Sequence, residues 1–444
     1  MTVVRYARLV GIAWVLLLAA SVRAQSPNVL LLTVESFRAD HVGCYGYARP
    51  TTPNLDRLAA RGARFESFHA QAPWTIPSLI SMFTGLYPAA HGVDRRGRQL
   101  PRAADAVPRI LARAGWRVPG ASYLLTLPEF AGLGFEPVPA PDWNGRPLEA
   151  MAASLRDRAP EPFFVWMHYK WTHLPYDPPA EDLALFRAAP LPDGEGIRAV
   201  RSGEMIVHGS VAFTPEEKRA VADLYDANLH RFDRDLARLL AVLDERGVLA
   251  RTIVVVTADH GEELFDHGFV GHGSTAKQAK LYEELLHVPL VVAGPGVPAG
   301  RVVRGLAEQV DLAPTLLDLL GIAPPPGMEG VSRLSTLRGD ATIRDGAAFA
   351  DTVLAGFQSG AEESRTRLRS FSDGRWKLIL TLTPDGDSAE LYDLTRDPGE
   401  REDLAAREEG RVRAMKRRIA EWIDRTLRTR LDLLRRSGRA AGEP

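Results

Sequence analysis

Two strongly apolar segments of the chain run directly into side chains that bind cations. The segment NVLLLTV is followed by Glu35, and the segment TIVVVTA is followed by Asp259 and His260. In an open parallel sheet the carboxyl ends of the strands meet at one edge, so we expect these three side chains to lie close together. Each acid alone could equally cap a helix. Together, carboxylates and an imidazole at matched strand ends favour a divalent-metal site.

A threonine stands at the start of another apolar segment, APWTIPSLISMFTG. Pro77 fits the first turn of a helix, and Thr75 precedes it, where free backbone N–H groups and the positive end of the helix dipole face any bound anion. A hydroxyl pressed against a metal ion loses its proton more easily and becomes a nucleophile. The structural alternative is that Thr75 only caps the helix, and this segment by itself favours the cap.

Two further segments are rich in histidine. The segment DHGEELFDHGFVGHG, residues 259–273, is dense in metal-ligand side chains and typical of the edge of an active site, although some of its members are solvated loop residues. The segment HYKWTHLPY follows a predicted strand and carries Lys170 and His173. His173 is a candidate general acid, or a contact to phosphate or sulfate oxygens. His168 follows the alternation of the strand and is interpreted as a buried structural residue.

The elements that must position these residues alternate between apolar β-branched segments and helical patterns. This alternation predicts an α/β fold with a mostly parallel sheet and helices on both faces. A long amphipathic helix is predicted over residues 214–247, with a Thr-Pro start and a glycine at its end. Strands are predicted at residues 28–34, 162–169, 252–259 and 288–294.

The pattern changes after a Pro/Gly-rich connection at residues 321–330. A hairpin with AELYDL as its neighbouring strand follows, and the last predicted element is a basic helix over residues 407–439. We therefore predict a catalytic domain over residues 25–330 and a smaller C-terminal α+β subdomain over residues 331–444, with antiparallel strands and a terminal helix. Packing of the basic helix on this subdomain is the simpler interpretation, and peripheral docking at a membrane surface is the alternative.

Composition excludes several classes of protein. The chain has 444 residues, 45% of them hydrophobic, and a formal net charge of −1, which indicates neither a nucleic-acid partner nor a disordered chain. The single cysteine, Cys44, excludes an internal disulfide and a zinc–thiolate cluster.

The N-terminal segment has the pattern of a targeting signal. Arg5 and Arg8 precede 14 residues without charge, and small residues lead up to Ala24. Fourteen helical residues span about 21 Å, which is less than the roughly 30 Å hydrocarbon core of a bilayer. We therefore expect residues 1–24 to be a cleaved signal peptide and the mature protein to be secreted or periplasmic.

These segments, in this order, resemble the sulfatase family of the alkaline-phosphatase superfamily from about residue 27 to residue 405. The segments TIPSLISMFTGLYP, VVVTADHGEELFDHGFVGHG, VDLAPTLLDLLGI and AELYDLTRDPGEREDLA correspond to landmarks of that family. The resemblance implies an alkaline-phosphatase-like fold and a metal-dependent enzyme that cleaves sulfate or phosphate esters.

The chain departs from the family pattern at the reaction centre. Family sulfatases carry C/S-x-P-S-R, whose first residue is oxidised to formylglycine, whereas this chain has Thr75 and Leu79 at those positions. Threonine cannot form that aldehyde. Glu35 and Ser36 replace the usual paired aspartates, and the Lys-x-His pair expected after GWRVPGASYLLTLPE is absent. His272 stands where a second substrate-binding lysine often lies.

These departures change the expected chemistry. A sulfated threonine lacks the exit that formylglycine provides, whereas a phospho-threonine is a familiar turnover intermediate in this superfamily, so a phosphate ester or diester is favoured. Lipoteichoic acid synthases and lipid A phosphoethanolamine transferases have a similar metal-and-nucleophile set. Here that set consists of Glu35, Thr75, Asp259 and His260.

We therefore expect an exported hydrolase of sulfate or phosphate esters, with Thr75 as a metal-activated nucleophile. His173 would serve in catalysis, and His272 and Lys170 would bind a small-molecule, glycan or lipid ester. The resemblance implies one divalent cation, and the residues do not distinguish Ca²⁺, Mg²⁺, Mn²⁺ and Zn²⁺. A membrane-surface phospho-headgroup transferase and a non-catalytic binding protein with the same fold are the alternatives.

Overall fold

The computed structural model of the protein describes residues 26–138, 162–202, 206, 209–273, 280–354 and 365–438. The predicted signal peptide, residues 1–24, lies outside this part of the chain. The strands of the N-terminal part are β1 (Asn28–Val34), β2 (Ala63–His69), β3 (Pro119–Ala121), β4 (Glu136–Pro137), β5 (Phe164–Tyr169), β6 (Thr252–Ala258), β7 (Glu263–Leu264), β8 (Val270–Gly271), β9 (Leu290–Ala293) and β10 (Arg301–Glu308).

Eight of these strands form one twisted central sheet, in the order β10–β2–β9–β6–β1–β5–β3–β4. Strand β9 is antiparallel to both of its neighbours, and the other adjacent pairs are parallel. Strands β1, β5 and β6 are buried along their whole length, which explains their continuous apolar sequences. The prediction of a mostly parallel sheet is confirmed.

Helices pack against this sheet. The longest begins where the sequence predicts, because Thr214 and Glu217 form a capping box: Thr214 Oγ1 accepts from the Glu217 N–H at 3.2 Å, and Glu217 Oε2 accepts from the Thr214 N–H at 2.8 Å. The α-helices are Pro53–Ala60, Thr75–Thr84, Pro88–His91, Val107–Arg113, Ala180–Leu183, Glu195–Ser202, Pro215–Glu245, Glu283–Leu286, Leu312–Leu319, Leu334–Arg338 and Glu409–Arg436.

A second, antiparallel sheet follows, with strands β11 (Ala348–Val353), β12 (Arg367–Ser372), β13 (Trp376–Leu382) and β14 (Ser388–Asp393) in sequential order. This arrangement confirms the predicted antiparallel C-terminal strands and terminal helix. The predicted domain boundary at residue 330 stays a prediction.

The terminal helix Glu409–Arg436 packs its apolar side chains into a core beside this second sheet. Trp422 is 1% exposed and stacks on Phe349, with ring centroids 4.9 Å apart. This contact agrees with the packing interpretation of the basic helix. Among the described residues, no helix combines the length and apolar character needed to cross a bilayer.

The register of the central strands brings the candidate residues to one edge. Strand β1 lies between β5 and β6, and Val34 pairs with both Tyr169 and Ala258. The residues that follow these three strand ends therefore leave the sheet at the same level. Glu35 and Asp259, more than two hundred positions apart in the sequence, are neighbours for this reason.

Candidate active site

The Glu35 carboxylate lies at the centre of a buried polar cluster at the carboxyl edge of the sheet. It is 3% exposed, and its two oxygens face different residues. Oε1 accepts a hydrogen bond from Thr75 Oγ1 at 3.3 Å and lies 3.9 Å from His173 Nε2. Oε2 lies 3.6 Å from His168 Nε2. The backbone is fixed, since the Glu35 N–H donates to the Tyr169 carbonyl at 2.8 Å.

Asp259 extends this cluster from the end of β6. Its Oδ1 accepts from the backbone N–H groups of Ser36 at 3.1 Å and of His260 at 2.8 Å, so the carboxylate is held by two donors. Its Oδ2 is buried and has no hydrogen-bond partner among the described residues. The carboxylate therefore presents one fully solvent-shielded oxygen to the cluster.

Thr75 is the first residue of its helix, and its side chain does not cap it. The N-cap residue is Trp74, without a side-chain cap. The Thr75 hydroxyl instead donates to Glu35 and lies 3.4 Å from His260 Nε2. Gly85 ends this helix in the left-handed conformation (φ 65°). The structure therefore places the hydroxyl in the polar cluster, at the positive end of a buried helix.

The tautomer of His260 follows from one contact. Its Nδ1 lies 2.7 Å from the Gly261 carbonyl, which only accepts, so Nδ1 carries the proton. The lone pair of a neutral His260 is then on Nε2, which lies 3.3 Å from Asp259 Oδ2 and faces Thr75. In its neutral form, His260 therefore presents a lone pair, and no proton, to Asp259 Oδ2.

His168 belongs to the same cluster, although its strand pattern suggested a structural residue. The side chain is fully buried, and its Nε2 has no hydrogen-bond partner in the part of the chain that the structure describes. The donor atoms of Glu35, His168 and Asp259 all lie within 4.8 Å of one another. His168 Nε2 and Asp259 Oδ2 have no hydrogen-bond partner among the described residues, and both lie near the Glu35 carboxylate. This arrangement fits a divalent cation.

Besides Thr75, the three predicted catalytic or substrate-binding side chains lie at different places. His173 donates from Nδ1 to the Leu174 carbonyl and turns Nε2 toward Glu35. The His272 ring is buried, with its centroid 4.3 Å from that of His260 and 4.9 Å from that of His173. The Lys170 amine lies over aromatic rings, 5.3 Å from the centre of Trp171. The structure thus brings both histidines, but not the amine, against the cluster.

Burial and neighbouring charges shift the pKa values of the titratable groups of the site in different directions. Burial opposes ionisation of the Glu35 carboxyl, but the imidazoles around it, led by His173, lower its pKa below the ordinary value. Burial raises the pKa of the Glu262 carboxyl to about 7. Burial and the neighbouring imidazoles lower the pKa of His272 well below its usual range. The cluster therefore combines a firmly ionised carboxylate with a neutral imidazole.

Two residues near the site were not anticipated. The pKa of the Tyr123 hydroxyl is raised by the charge of Glu35, by burial and by Asp259, which places the phenol in the field of the two carboxylates. Arg96 opposes this shift. Tyr123 directly follows Ser122 after strand β3, so its place beyond a strand end was the available signal. Arg96 lies in a loop, and no sequence pattern indicated that it would lie near the site.

A second set of contacts fixes the Thr75 helix to the end of β6. Gln309 donates from Nε2 to the carbonyls of Ala258 and Asp259 at 2.7 and 2.8 Å. Ser78 Oγ lies within hydrogen-bond distance of the Asp259 carbonyl and 2.6 Å from Gln309 Oε1. Gln309 therefore joins the helix that begins at Thr75 to the end of β6, which Asp259 follows. No sequence pattern singled it out.

The chain is similar to known proteins over most of its length. The family model described as Sulfatase matches residues 27–136 and 146–322, and the model described as N-sulphoglucosamine sulphohydrolase, C-terminal, matches residues 271–426. The chain is 24% identical to Delta 4,5-hexuronate-2-O-sulfatase of Bacteroides thetaiotaomicron, over 87% of this chain and 86% of that protein. It is 28% identical to the multifunctional alkaline phosphatase superfamily protein PehA of Trinickia caryophylli, over 70% of this chain and 77% of that protein.

The fold is also that of a solved structure, the phosphonate monoester hydrolase of Agrobacterium radiobacter. The two share a TM-score of 0.75 at 22% sequence identity, over 90% of this chain and 96% of the other. At this level of identity the likeness concerns the fold.

Proposed function

The chain belongs to the sulfatase family, and we propose that it is an exported, metal-dependent ester hydrolase in which Thr75 replaces formylglycine as the nucleophile. The observation that carries the proposal is the position of the Thr75 hydroxyl. It lies 3.3 Å from Glu35 Oε1 and 3.4 Å from His260 Nε2, at the start of a buried helix. A threonine that served only as a helix cap would direct its oxygen to a backbone N–H of the first turn.

The residues around Thr75 form a suitable site for one divalent cation. Glu35, Asp259 and His260 would hold it together with the threonine oxygen. When bound, such a cation lowers the pKa of a hydroxyl that it contacts and offsets negative charge on the ester. The unpartnered Oδ2 of Asp259 and the lone pair of His260 Nε2 support this assignment.

The reaction has two steps. In the first, Thr75 Oγ1 loses its proton and attacks phosphorus, the new O–P bond forms, and the bond to the leaving oxygen breaks. The leaving alkoxide gains a proton from His173 Nε2, and the proton from Thr75 returns through solvent to that imidazole. In the second step, water attacks the phosphorus of the phospho-threonine, the bond between Thr75 Oγ1 and phosphorus breaks, and a proton from the attacking water restores the Thr75 hydroxyl. His173 is suited to the proton transfer because the Leu174 carbonyl fixes its ring.

Phosphate esters, and diesters in particular, suit this site better than sulfate esters. A sulfated threonine lacks the collapse to an aldehyde that releases sulfate from formylglycine. Leu79, at the position of the family arginine, is fully buried in the apolar core, so it contributes no charge to an anion. A monoanionic diester needs fewer cationic contacts than a dianionic monoester. His272 remains the proposed ester contact, because the Lys170 amine lies over aromatic rings rather than against the cluster.

Rates on matched esters of one leaving group test the proposal. We expect p-nitrophenyl diesters of phosphate or phosphonate to be hydrolysed faster than p-nitrophenyl sulfate by the metal-loaded mature chain. Thr75→Ala should lower kcat/KM at least about 10⁴-fold, and mass spectrometry of rapidly quenched wild-type protein should find the transferred group on Thr75.

Thr84→Ala is the matched control. Thr84 is a buried threonine at the other end of the same helix, and its hydroxyl donates to the Ile80 carbonyl at 2.6 Å. This variant should keep wild-type turnover. Full activity of Thr75→Ala would refute the nucleophile, and transfer of the group to an added alcohol in preference to water would favour the headgroup transferase.

Export is the part of the proposal that concerns localisation. It rests on the basic start, the uncharged segment and the small residues up to Ala24. Expression of the full chain in a bacterium, followed by N-terminal sequencing of the periplasmic fraction, should give Gln25 as the first residue. Recovery of intact protein in the cytoplasm alone would contradict export.

A further inference from the structure

We propose that His168 is an additional ligand of the divalent cation, and that the resulting set of two imidazoles and two carboxylates selects Zn²⁺ over Ca²⁺ and Mg²⁺. This inference rests on the proposed function, because it concerns the same metal site. It goes beyond that function in assigning a residue from β5 and a preferred ion.

The sheet register places His168 at the metal edge. His168 pairs with Thr33 of β1, and Thr33 lies two positions before Glu35. The imidazole is fully buried, and its Nε2 lies 3.6 Å from Glu35 Oε2. That separation exceeds a hydrogen bond and is well beyond the roughly 2.7–2.9 Å of a charge-assisted one. The gap between the two atoms is wide enough to be bridged by a shared ion.

A contact at Nδ1 fixes the orientation of the His168 ring. Its Nδ1 lies 2.8 Å from Thr33 Oγ1, and Thr33 Oγ1 accepts a hydrogen bond from the Trp166 indole at 2.9 Å. Histidine ligands of metals characteristically use one ring nitrogen for the ion and the other for such an outer contact. A ring that served only to fill the core would not need this support for a nitrogen directed at a carboxylate.

Position 36 explains why a ligand from another strand is needed. The resemblance to sulfatases predicts a second aspartate there, but this chain has Ser36. Its hydroxyl lies 3.5 Å from His272 Nδ1, and its N–H donates to Asp259. Ser36 therefore interacts with other members of the site, and the oxygen ligand of the missing aspartate has no direct substitute at this position. His168 supplies a donor from the neighbouring strand.

The unpartnered atoms argue against a purely structural His168. A buried polar atom that lacks a hydrogen bond costs about 1–3 kcal/mol. Within the described part of the chain, His168 Nε2 has only the 3.6 Å approach to Glu35 Oε2, and Asp259 Oδ2 is a second buried atom of this cluster without a hydrogen bond. A single cation near both atoms and Glu35 would satisfy all of them. The donor atoms lie within 4.8 Å of one another, as a shared ion requires.

The donor types favour zinc. Zn²⁺ accepts imidazole nitrogen at about 2.0–2.1 Å together with carboxylate oxygen, whereas Ca²⁺ and Mg²⁺ favour sets made of oxygen alone. His168 and His260 would contribute two nitrogens, which disfavours both alkaline-earth ions. A ligand set in which His260 is the one imidazole would discriminate less strongly between Zn²⁺ and the two alkaline-earth ions.

X-ray absorption of the zinc-loaded full chain tests this inference without any substrate. After metal removal by a chelator, we expect about one Zn²⁺ per chain, two imidazoles around it, and tighter binding of Zn²⁺ than of Ca²⁺ or Mg²⁺ in chelator competition. His168→Gln should leave one imidazole and weaken zinc binding at least about 100-fold. His230→Gln, which removes a histidine bonded to Asp182, should change neither quantity.

A second pair of variants tests the contact between Thr33 and the His168 ring. It also distinguishes a lost contact from a misfolded chain. Thr33→Val should weaken zinc binding about 10–100-fold. Its control is Thr257→Val, because Thr257 pairs with Thr33 in register and its buried hydroxyl has no hydrogen-bond partner among the described residues. The thermal unfolding of each metal-free variant shows whether it is folded.

The outcomes separate this inference from the proposed function. One imidazole in the wild-type spectrum, or two in His168→Gln, would overturn the ligand assignment. Tighter binding of Ca²⁺ or Mg²⁺ would overturn the ion preference. Both results are independent of turnover, so a protein that binds zinc through two imidazoles but hydrolyses no ester would refute the proposed function alone.

Discussion

His173 differs from the other histidines of the site in its access to solvent. Its side chain is 23% exposed, whereas those of His168, His260 and His272 are fully buried. A proton donor must reach the leaving oxygen of a substrate that enters from solvent, and a metal ligand benefits from burial. The proposed division of roles between these four imidazoles therefore rests on their exposure as well as on their distances.

A general acid at His173 makes the effect of its removal depend on the leaving group. His173→Gln should lower kcat about 100-fold for alkyl esters, whose alkoxides need a proton, and only a few-fold for p-nitrophenyl esters. The measurement is the slope of log kcat against leaving-group pKa, which should become steeper in the variant. An equal loss for all leaving groups would show that His173 only positions the ester.

At the scale of elements, the site depends on how the Thr75 helix is held against β6. Gln309 is fully buried and spans the two elements through three hydrogen-bonding partners. We therefore expect this amide to set the separation of Thr75 and Asp259.

Replacement of Gln309 by leucine should disturb that separation. We expect a loss of about 1–3 kcal/mol in the free energy of unfolding, since buried carbonyls lose their donor, and a further loss of about 10–100-fold in kcat/KM from the displaced nucleophile. Gln71→Leu is the control, because Gln71 is equally buried and bonds His69, Glu308 and Val310 instead. Loss of stability in both variants with normal turnover of the folded fraction would count against the positioning role of Gln309.

The same elements explain what could be predicted from the sequence. Strand β1 has the predicted bounds, and the helix that begins at Pro215 follows its Thr-Pro start, because apolar runs and caps are local signals. The antiparallel direction of β9 was not predictable, since the run VPLVVAG carries no information on direction. The place of His168 beside Glu35 was not predictable for a similar reason: strand alternation indicates burial, which the structure confirms, but only the register with β1 brings the ring near Glu35.

At the scale of the whole molecule, buried titratable groups lie between the central and the C-terminal sheets. Glu308, at the end of β10, accepts from the backbone N–H of Phe349 in β11 at 2.8 Å and from the Tyr87 hydroxyl at 2.7 Å. Lys377 of β13 is 1% exposed and lies 2.9 Å from both Glu283 and Glu400. The connection between the sheets therefore depends on ionisation.

Glu308 gives this connection a pH dependence. Burial and the charge of Asp311 raise the pKa of Glu308 from 4.5 to about 8. The folded chain therefore binds more protons than the unfolded chain between these values, and the free energy of unfolding should fall as pH rises from about 4.5 to 8, by at most about 1.4 kcal/mol per pH unit from this group. Urea unfolding of Glu308→Gln should show a flatter profile in this window, whereas Glu409→Gln, at an exposed position, should follow the wild type.

Lys377 makes the stronger prediction, because its loss leaves two carboxylates buried without their cation. Burial opposes ionisation of Glu283, but Lys377 and His69 lower its pKa well below the usual value, whereas burial raises the pKa of Glu400 to about 7. Lys377→Met should therefore lower the free energy of unfolding by about 3–5 kcal/mol, as expected when one partner of a buried ion pair is removed.

The control and the pH dependence of that loss identify its cause. Lys416→Met replaces an exposed lysine of the terminal helix and should change stability by less than about 0.5 kcal/mol. The deficit of Lys377→Met should shrink as pH falls from 8 toward 7, because without the lysine the pKa of Glu400 lies above its wild-type value of about 7 and the variant binds a proton there that the wild type does not. A deficit below 1 kcal/mol, or an equal deficit at pH 6 and pH 8, would contradict this prediction. Apolar contacts would then join the two sheets, and the buried lysine would contribute little to their association.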